Sequence, residues 1–111
     1  MTATNLTPDQ TAELADTFRL LADASRLGIV AACADQAMSV GAISDRLGLS
    51  PSLVSHHLRL LRAARIMTAE RRGKQVFYTL ADACVRDVLA TMIGHQFGHR
   101  PDHDAPAGKV A

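Results

Sequence analysis

Two short helical patterns separated only by "GLS" are the feature that most restricts the fold of this chain. The first, "VGAISDRL", follows the potential N-cap Ser39 and stops at Gly48, a residue suited to a left-handed C-terminal position. The second begins at Ser50 and Pro51, a typical helix start, and runs to about Ala64. Two short helices joined by a tight glycine-containing turn predict a helix-turn-helix.

A helix-start signature also precedes this motif. Thr7 can cap a helix that begins at Pro8 and has Gln10 three residues past the cap, so we expect a first helix from Pro8 to about Ala22. Asp23 can cap a second helix, "ASRLGIVAACA". With 111 residues, the chain is long enough for one compact domain and too short for two ordinary ones.

Two strand-like segments follow the motif. "IMTAE" and "QVFYTL" carry β-branched and aromatic residues on either side of "RRGK", whose glycine suits a hairpin turn, so they predict a two-stranded wing. A fifth helix begins at Ala81 and Asp82, and its apolar stripe consists of Val85, Val88, Leu89, Met92 and Ile93. We therefore expect a mainly helical winged helix-turn-helix domain over residues 8–99, between a flexible N-terminus (1–7) and a disordered tail (100–111).

The composition argues against membrane and secreted classes. No apolar run approaches the roughly 20 residues of a bilayer span, and "MTATNLTPDQ" lacks the basic and apolar regions of a signal peptide. Cys33 and Cys84 are too few for a disulfide scaffold. We expect a cytoplasmic protein with no membrane partner.

The basic residues are concentrated in one segment. Between Pro51 and Ala81 the chain carries a net charge of +5, although the whole protein carries only +1. The six cations of this segment are Arg59, Arg62, Arg65, Arg71, Arg72 and Lys74. Such a block favours a surface for a polyanion, and a solvated charged face is the alternative interpretation.

The fourth helix divides into two faces when its residues are placed at about 100° intervals. The polar and cationic face holds Ser52, Ser55, His56, Arg59 and Arg62, and the opposite face holds Leu53, Val54, His57, Leu58, Leu60 and Leu61. His57 is therefore expected to be a core histidine bonded to a backbone group, while His56 is exposed.

The exposed face has the composition of a helix that reads the DNA major groove. Ser52, Ser55 and His56 could reach base edges, and Arg59 and Arg62 could meet phosphates. At the expected tip of the wing, three further cations would extend contact to the DNA backbone or minor groove: Arg71, Arg72 and Lys74.

These segments resemble the ArsR/SmtB family of winged-helix bacterial repressors, many of which sense metals. The resemblance runs from about Leu14 to His95, and its most specific parts are "VSHHLRLLR" and "RRGKQVFYTL". It implies three helices, a reading helix, a wing and a last helix, with the first and last helices forming a homodimer interface. It also implies that DNA is released when an inducer binds. Our leading hypothesis is a homodimeric repressor that binds a palindromic double-stranded operator when apo and releases it when metal binds.

Four potential metal ligands lie at the two ends of the last helix. Cys84 and His95 are about 16 Å apart along a helix, whereas a zinc ion needs donors at about 2 Å, so one chain cannot close a site with them. Cys84, His95 and His99 nevertheless share one helical stripe. If two such helices packed antiparallel across a two-fold axis, Asp82 and Cys84 of one chain would meet His95 and His99 of the other, giving two equivalent sites.

This set of ligands departs from the family's pattern at two positions. Cys84 stands where that pattern has a histidine, and Gly98 stands at the fourth position, one residue before His99. Use of His99 requires the helix to continue through Gly94 and Gly98. The donors suit a divalent ion, zinc first and cobalt or cadmium also, and nickel is possible with His103 as an added donor.

Three other functions compete with metal-dependent repression. A repressor could sense thiol oxidation or persulfide through Cys33 and Cys84, which requires their α-carbons to lie within about 7 Å. A winged helix could act without DNA, as an interaction module or metal carrier, although the basic block argues against this. An enzyme is not expected, because the sequence shows no nucleophile–base pairing and no phosphate loop.

Overall fold

A computed structural model describes residues 5–98 and places five helices and three strands among them. In chain order they are α1 (Pro8–Leu21), α2 (Ala24–Ala32), β1 (Met38–Ser39), α3 (Val40–Leu47), α4 (Pro51–Ala63), β2 (Met67–Arg72), β3 (Gln75–Leu80) and α5 (Ala83–Phe97). The mainly helical winged helix-turn-helix expected from the sequence is confirmed. The chain divides into a unit that ends at Ala81 and contains α1 to β3, and a unit that begins at Asp82 and contains α5.

Local chemistry at the helix ends determines where the first four helices start. The side chains of Thr7, Asp23, Ser39 and Ser50 each accept a hydrogen bond from the backbone amide three residues later, which satisfies a donor that the helix leaves free. Thr7 and Gln10 form a reciprocal capping box. At the end of α3, Gly48 has a φ of 69°, a left-handed conformation that glycine adopts without strain. The predicted caps are confirmed.

The core of the first unit forms around one face of α4. Helix α4 packs against α2, α3 and β2, and the least exposed side chains are Ile29, Val30, Cys33, Ile43, Val54, Leu58, Leu61 and Met67. Leu53 differs from the prediction, because 39% of it is exposed. It lies in the first turn of α4, ahead of the buried Val54 and Leu58.

The sheet contains a strand that the sequence did not suggest. Strand β3 lies in the middle, with β2 and the two-residue β1 antiparallel on either side. Met38 pairs with Tyr78, so β1 exists through a partner 40 residues later along the chain, and two residues carry no period-2 pattern of their own.

The first strand of the wing is longer than predicted and includes Arg71 and Arg72. Arg72 pairs with Gln75, so the turn consists only of Gly73 and Lys74. Gly73 has a φ of 65° while Lys74 is not in the positive region, which corresponds to a type II′ hairpin turn. The expectation that all of "RRGK" lies between the strands is therefore wrong, because Arg71 and Arg72 belong to β2 and Arg72 forms its last pair before the turn.

Helix α5 begins and ends at identifiable caps. The Asp82 carboxylate accepts a hydrogen bond from the Val85 amide at 3.0 Å. The helix continues through Gly94 but ends at Phe97, and Gly98 has a φ of 88°. The continuation through Gly98 that His99 requires is not present. None of the described helices is long and apolar enough to cross a membrane.

Two leucines of α4 provide a test of this packing. Leu61→Ala, at a fully buried position, should lower the free energy of unfolding by about 2–5 kcal/mol, because a cavity remains where the side chain was. Leu53→Ala makes the same chemical change on the same helix at a partly exposed position, and about 1 kcal/mol or less is expected. Urea denaturation measures both, and equal losses would contradict the placement of Leu53.

Candidate functional site

One face of α4 is free of the core and carries the residues of this helix that were predicted to contact DNA. Ser52, His56, Arg59 and Arg62 are exposed, and Ser55 is half-buried. The helix is held by its opposite face, where Val54, Leu58 and Leu61 are buried, so the polar face has a fixed orientation. Helix α4 follows α3 after a tight turn at Gly48, and these five side chains lie along the face of α4 that is opposite the buried one.

His57 is a core histidine, but its partner differs from the prediction. Only 6% of the residue is exposed. Its Nδ1 lies 3.5 Å from Nη1 of Arg26, a side chain of α2, whereas the prediction gave it a backbone partner. Because arginine has only donors, Nδ1 accepts this contact and the neutral ring carries its proton on Nε2.

Arg26 links three helices of the first unit. Its Nε donates to the carbonyl oxygen of Leu20, near the end of α1, at 2.7 Å. Its backbone amide donates to Oδ2 of Asp23, the cap of α2, at 3.0 Å, and this bond lowers the pKa of the Asp23 carboxyl. Together with the contact to His57, these bonds connect α1 and α2 to the reading helix. The sequence around Arg26 contains no pattern that predicts its contact with His57, which lies 31 residues later in the chain.

The environment of His57 favours its neutral form. Burial lowers the pKa of His57 from its ordinary value of 6.5, and the positive charge of Arg26 lowers it further. The Asp23 carboxylate acts in the opposite direction, and His56 adds a small lowering effect. Protonation would place a second cation beside Arg26 inside the protein.

The cations of the wing are not equivalent. Arg71 is exposed in β2, and Lys74 is exposed in the turn. Arg72 is occupied within the wing, because its Nη2 lies 3.0 Å from the Glu70 carboxylate and its guanidinium lies 4.8 Å from the centre of the Phe77 ring. Arg71 and Lys74 are therefore better placed than Arg72 to meet an external anion.

A shallow open groove of about 730 Å³ lies between the end of α4 and the beginning of β2. Three arginines line it, Arg59, Arg62 and Arg65. The other lining residues are uncharged: Ala63, Met67, Thr68, Ala69 and Ala81. Two of the three arginines also belong to the polar face of α4. Arg65 was not among the predicted site residues.

The candidate metal ligands of α5 lie far apart in one chain. Cys84 and His95 are both exposed, in the first and last turns of the helix, and Asp82 caps it. Among residues 5–98, no three His, Cys, Asp or Glu side chains are placed so that they could hold one metal ion. The donors thus suit an ion only if a second chain supplies the missing ones. His99 and His103 lie outside the described residues.

The two cysteines have different environments. Cys33 is fully buried at the end of α2, as predicted for a core residue, and burial raises the pKa of its thiol to about 11. Cys84 is exposed, and both thiols are free. The positive charge of Arg46 lowers the pKa of Cys33 but does not offset the effect of burial. A buried thiol with a raised pKa is a poor nucleophile, which argues against Cys33 as half of a redox sensor.

Comparison with known proteins decides the family. The family model described as "Bacterial regulatory protein, arsR family" matches residues 23–68, which contain the helix-turn-helix. The transcriptional regulator KmtR of Mycobacterium tuberculosis is 34% identical over 106 residues, which are 93% of this chain and 82% of KmtR. The chain belongs to the arsR family.

Further relatives agree with this assignment to the arsR family. A transcriptional repressor SmtB homolog of Synechocystis is 38% identical over 87 residues, which are 78% of this chain and 66% of that protein. The crystal structure of NolR from Sinorhizobium fredii has a TM-score of 0.75 at 26% identity and covers 87% of this chain and 99% of NolR. This arsR-family chain is thus a winged helix-turn-helix transcriptional regulator and not an enzyme, as expected.

The environment of His57 predicts how stability depends on pH. Unfolded His57 takes up a proton near pH 6.5, whereas the folded protein resists protonation, so the free energy of unfolding should fall as the pH decreases below about 6.5. His57→Gln should flatten this dependence between about pH 8 and 5.5. His56→Gln, on the exposed face, should retain it, and urea titrations at several pH values measure both. An unchanged decline in His57→Gln would show that another group is responsible.

Proposed function

We propose that this arsR-family regulator is a homodimeric repressor that binds a palindromic operator and releases it when a divalent metal ion binds. The observation that carries the proposal is that α4 has two different faces: its apolar face is buried, and its polar and cationic face is exposed. This helix is also the second helix of the helix-turn-helix. A helix that is held by one face and follows a tight turn can present the other face to a DNA groove.

The exposed side chains suit separate parts of the DNA. Ser52, Ser55 and His56, in the first half of α4, reach base edges in the major groove, while Arg59 and Arg62 contact phosphates. The wing adds Arg71 and Lys74, which meet the backbone or minor groove, and Arg72 supports the wing through Glu70 and Phe77.

Exposed apolar side chains support a homodimer. Leu14 and Phe18 of α1 are 44% and 57% exposed, and α5 exposes Val88, Met92, Ile93 and Phe97. Large apolar side chains at helical spacing are typical of surfaces that a partner covers. A second copy of the chain would cover them in a two-fold arrangement, which also matches a palindromic operator.

The metal site would be shared between two chains. At about 1.5 Å per residue, Cys84 and His95 of one chain are about 16 Å apart along α5. In an antiparallel pair of α5 helices, Asp82 and Cys84 at the start of one helix would instead lie beside the partner subunit's His95 at the end of the other. Asp82 caps the helix through Oδ1, and its other oxygen remains for the ion. The fourth donor would come from His99 or His103. A zinc-like ion, or cobalt, cadmium or nickel, would cross-link the two helices.

Metal and DNA would then oppose each other. Cross-linking the two last helices would favour a dimer in which the reading helices no longer match major grooves about 34 Å apart. Because the two binding events are linked, DNA lowers the affinity for metal by the same factor.

A metal titration tests the proposal. A fluorescent duplex from the protein's own promoter is bound by the apo protein, and zinc, cobalt, nickel and cadmium are added in turn while anisotropy is recorded. At least one metal should dissociate the complex, whereas Cys84→Ala and His95→Ala should bind DNA but not respond. Cys33→Ala is the matched thiol control and should respond like the wild type. Undiminished DNA binding with all four metals would contradict metal sensing.

A further inference from the structure

The groove between α4 and β2 continues the polar face of α4 beyond the helix. Arg59 and Arg62 belong to both surfaces, while Arg65, which follows the helix, lines only the groove. Among the described residues, no acidic side chain lines this groove. A DNA strand that contacts Arg59 and Arg62 would therefore meet a third cation on the same path.

Arg65 occupies a backbone position that normally favours glycine. Its φ is 63°, the only positive value at a non-glycine residue within residues 5–98. The Arg65 amide donates to the carbonyl of Arg62 and the Ile66 amide to that of Leu61, both at 2.9 Å, which is the hydrogen bonding of a Schellman C-cap. A left-handed arginine at such a cap is strained, and strained residues concentrate at functional sites.

We propose that Arg65, with Arg59 and Arg62, binds a backbone phosphate of duplex DNA in this groove, outside the segment that α4 reads. This rests on the proposed function and adds a contact to the same surface. Charge complementarity supports the phosphate: within residues 5–98 the three guanidinium groups make no ion pair or hydrogen bond, and arginine matches phosphate geometry with two parallel donors.

Replacement of Arg65 by glycine tests the role of the positive charge without disturbing the backbone. Arg65→Gly removes the guanidinium but inserts the residue that this φ favours, so the thermal midpoint should not fall. The slope of log affinity against log salt concentration should become shallower by about 0.9 for each phosphate that the variant no longer neutralises, equally for the promoter duplex and a scrambled duplex. Arg65→Lys, which keeps the charge, should retain most of the wild-type slope.

Two control variants show whether a change in the salt slope is specific to Arg65. Arg19→Gln removes one positive charge from α1, where Arg19 pairs with Asp16, and should leave the slope unchanged. His56→Ala should reduce the preference for the promoter over the scrambled duplex without changing the slope. If the wild type shows neither a preference for the promoter nor a response to metal, the proposed function is wrong. The difference in salt slope between the wild type and Arg65→Gly would still test phosphate binding in the groove.

A second measurement distinguishes a DNA phosphate from a free phosphate. The NMR signal of the Arg65 Nε–H group should shift when duplex DNA is added, and it should not saturate with inorganic phosphate at constant ionic strength. The inference is overturned if Arg65→Gly binds both duplexes with the wild-type affinity and slope. It is also overturned if inorganic phosphate saturates the signal at submillimolar concentration and DNA leaves it unchanged.

Discussion

Burial of one face of α4 is the interaction on which the rest of the first unit depends. Val54, Leu58 and Leu61 fill the space between α2, α3 and β2, and deleting any of them would leave a cavity in a closely packed interior. Because this burial fixes the rotation of the helix about its own axis, it also determines which side chains remain exposed. The orientation of Ser52 and Arg59 is thus a consequence of packing on the opposite face.

The same burial requires a polar partner inside the protein. His57 lies among the leucines of α4, and a buried imidazole needs a hydrogen bond because water is excluded. Arg26 supplies it and also binds the Leu20 carbonyl, so the reading helix is connected to α1 through one side chain. A movement of α1 in a dimer would therefore reach α4 through this contact.

The sequence predicted features that depend on neighbouring residues and missed those that depend on distant ones. The caps at Thr7, Ser39 and Ser50 and the turn at Gly48 are local, and they are confirmed. Strand β1 and the contact of His57 with Arg26 depend on partners 40 and 31 residues away along the chain, which no local pattern reveals. The left-handed Arg65 was missed for a different reason, since the usual marker of a C-cap, glycine, is replaced there.

Helix α5 shows the limit that geometry sets on a single chain. Its candidate ligands lie at opposite ends of a continuous helix, and we therefore propose that two chains share each metal site. Mixing Cys84→Ala and His95→Ala chains before refolding tests it by cobalt absorption, because each mixed dimer regains one intact site. We expect about a quarter of the wild-type cobalt signal from the mixture and none from either variant alone, given random pairing and two sites per dimer. No recovery in a mixture shown to contain mixed dimers would contradict a shared site.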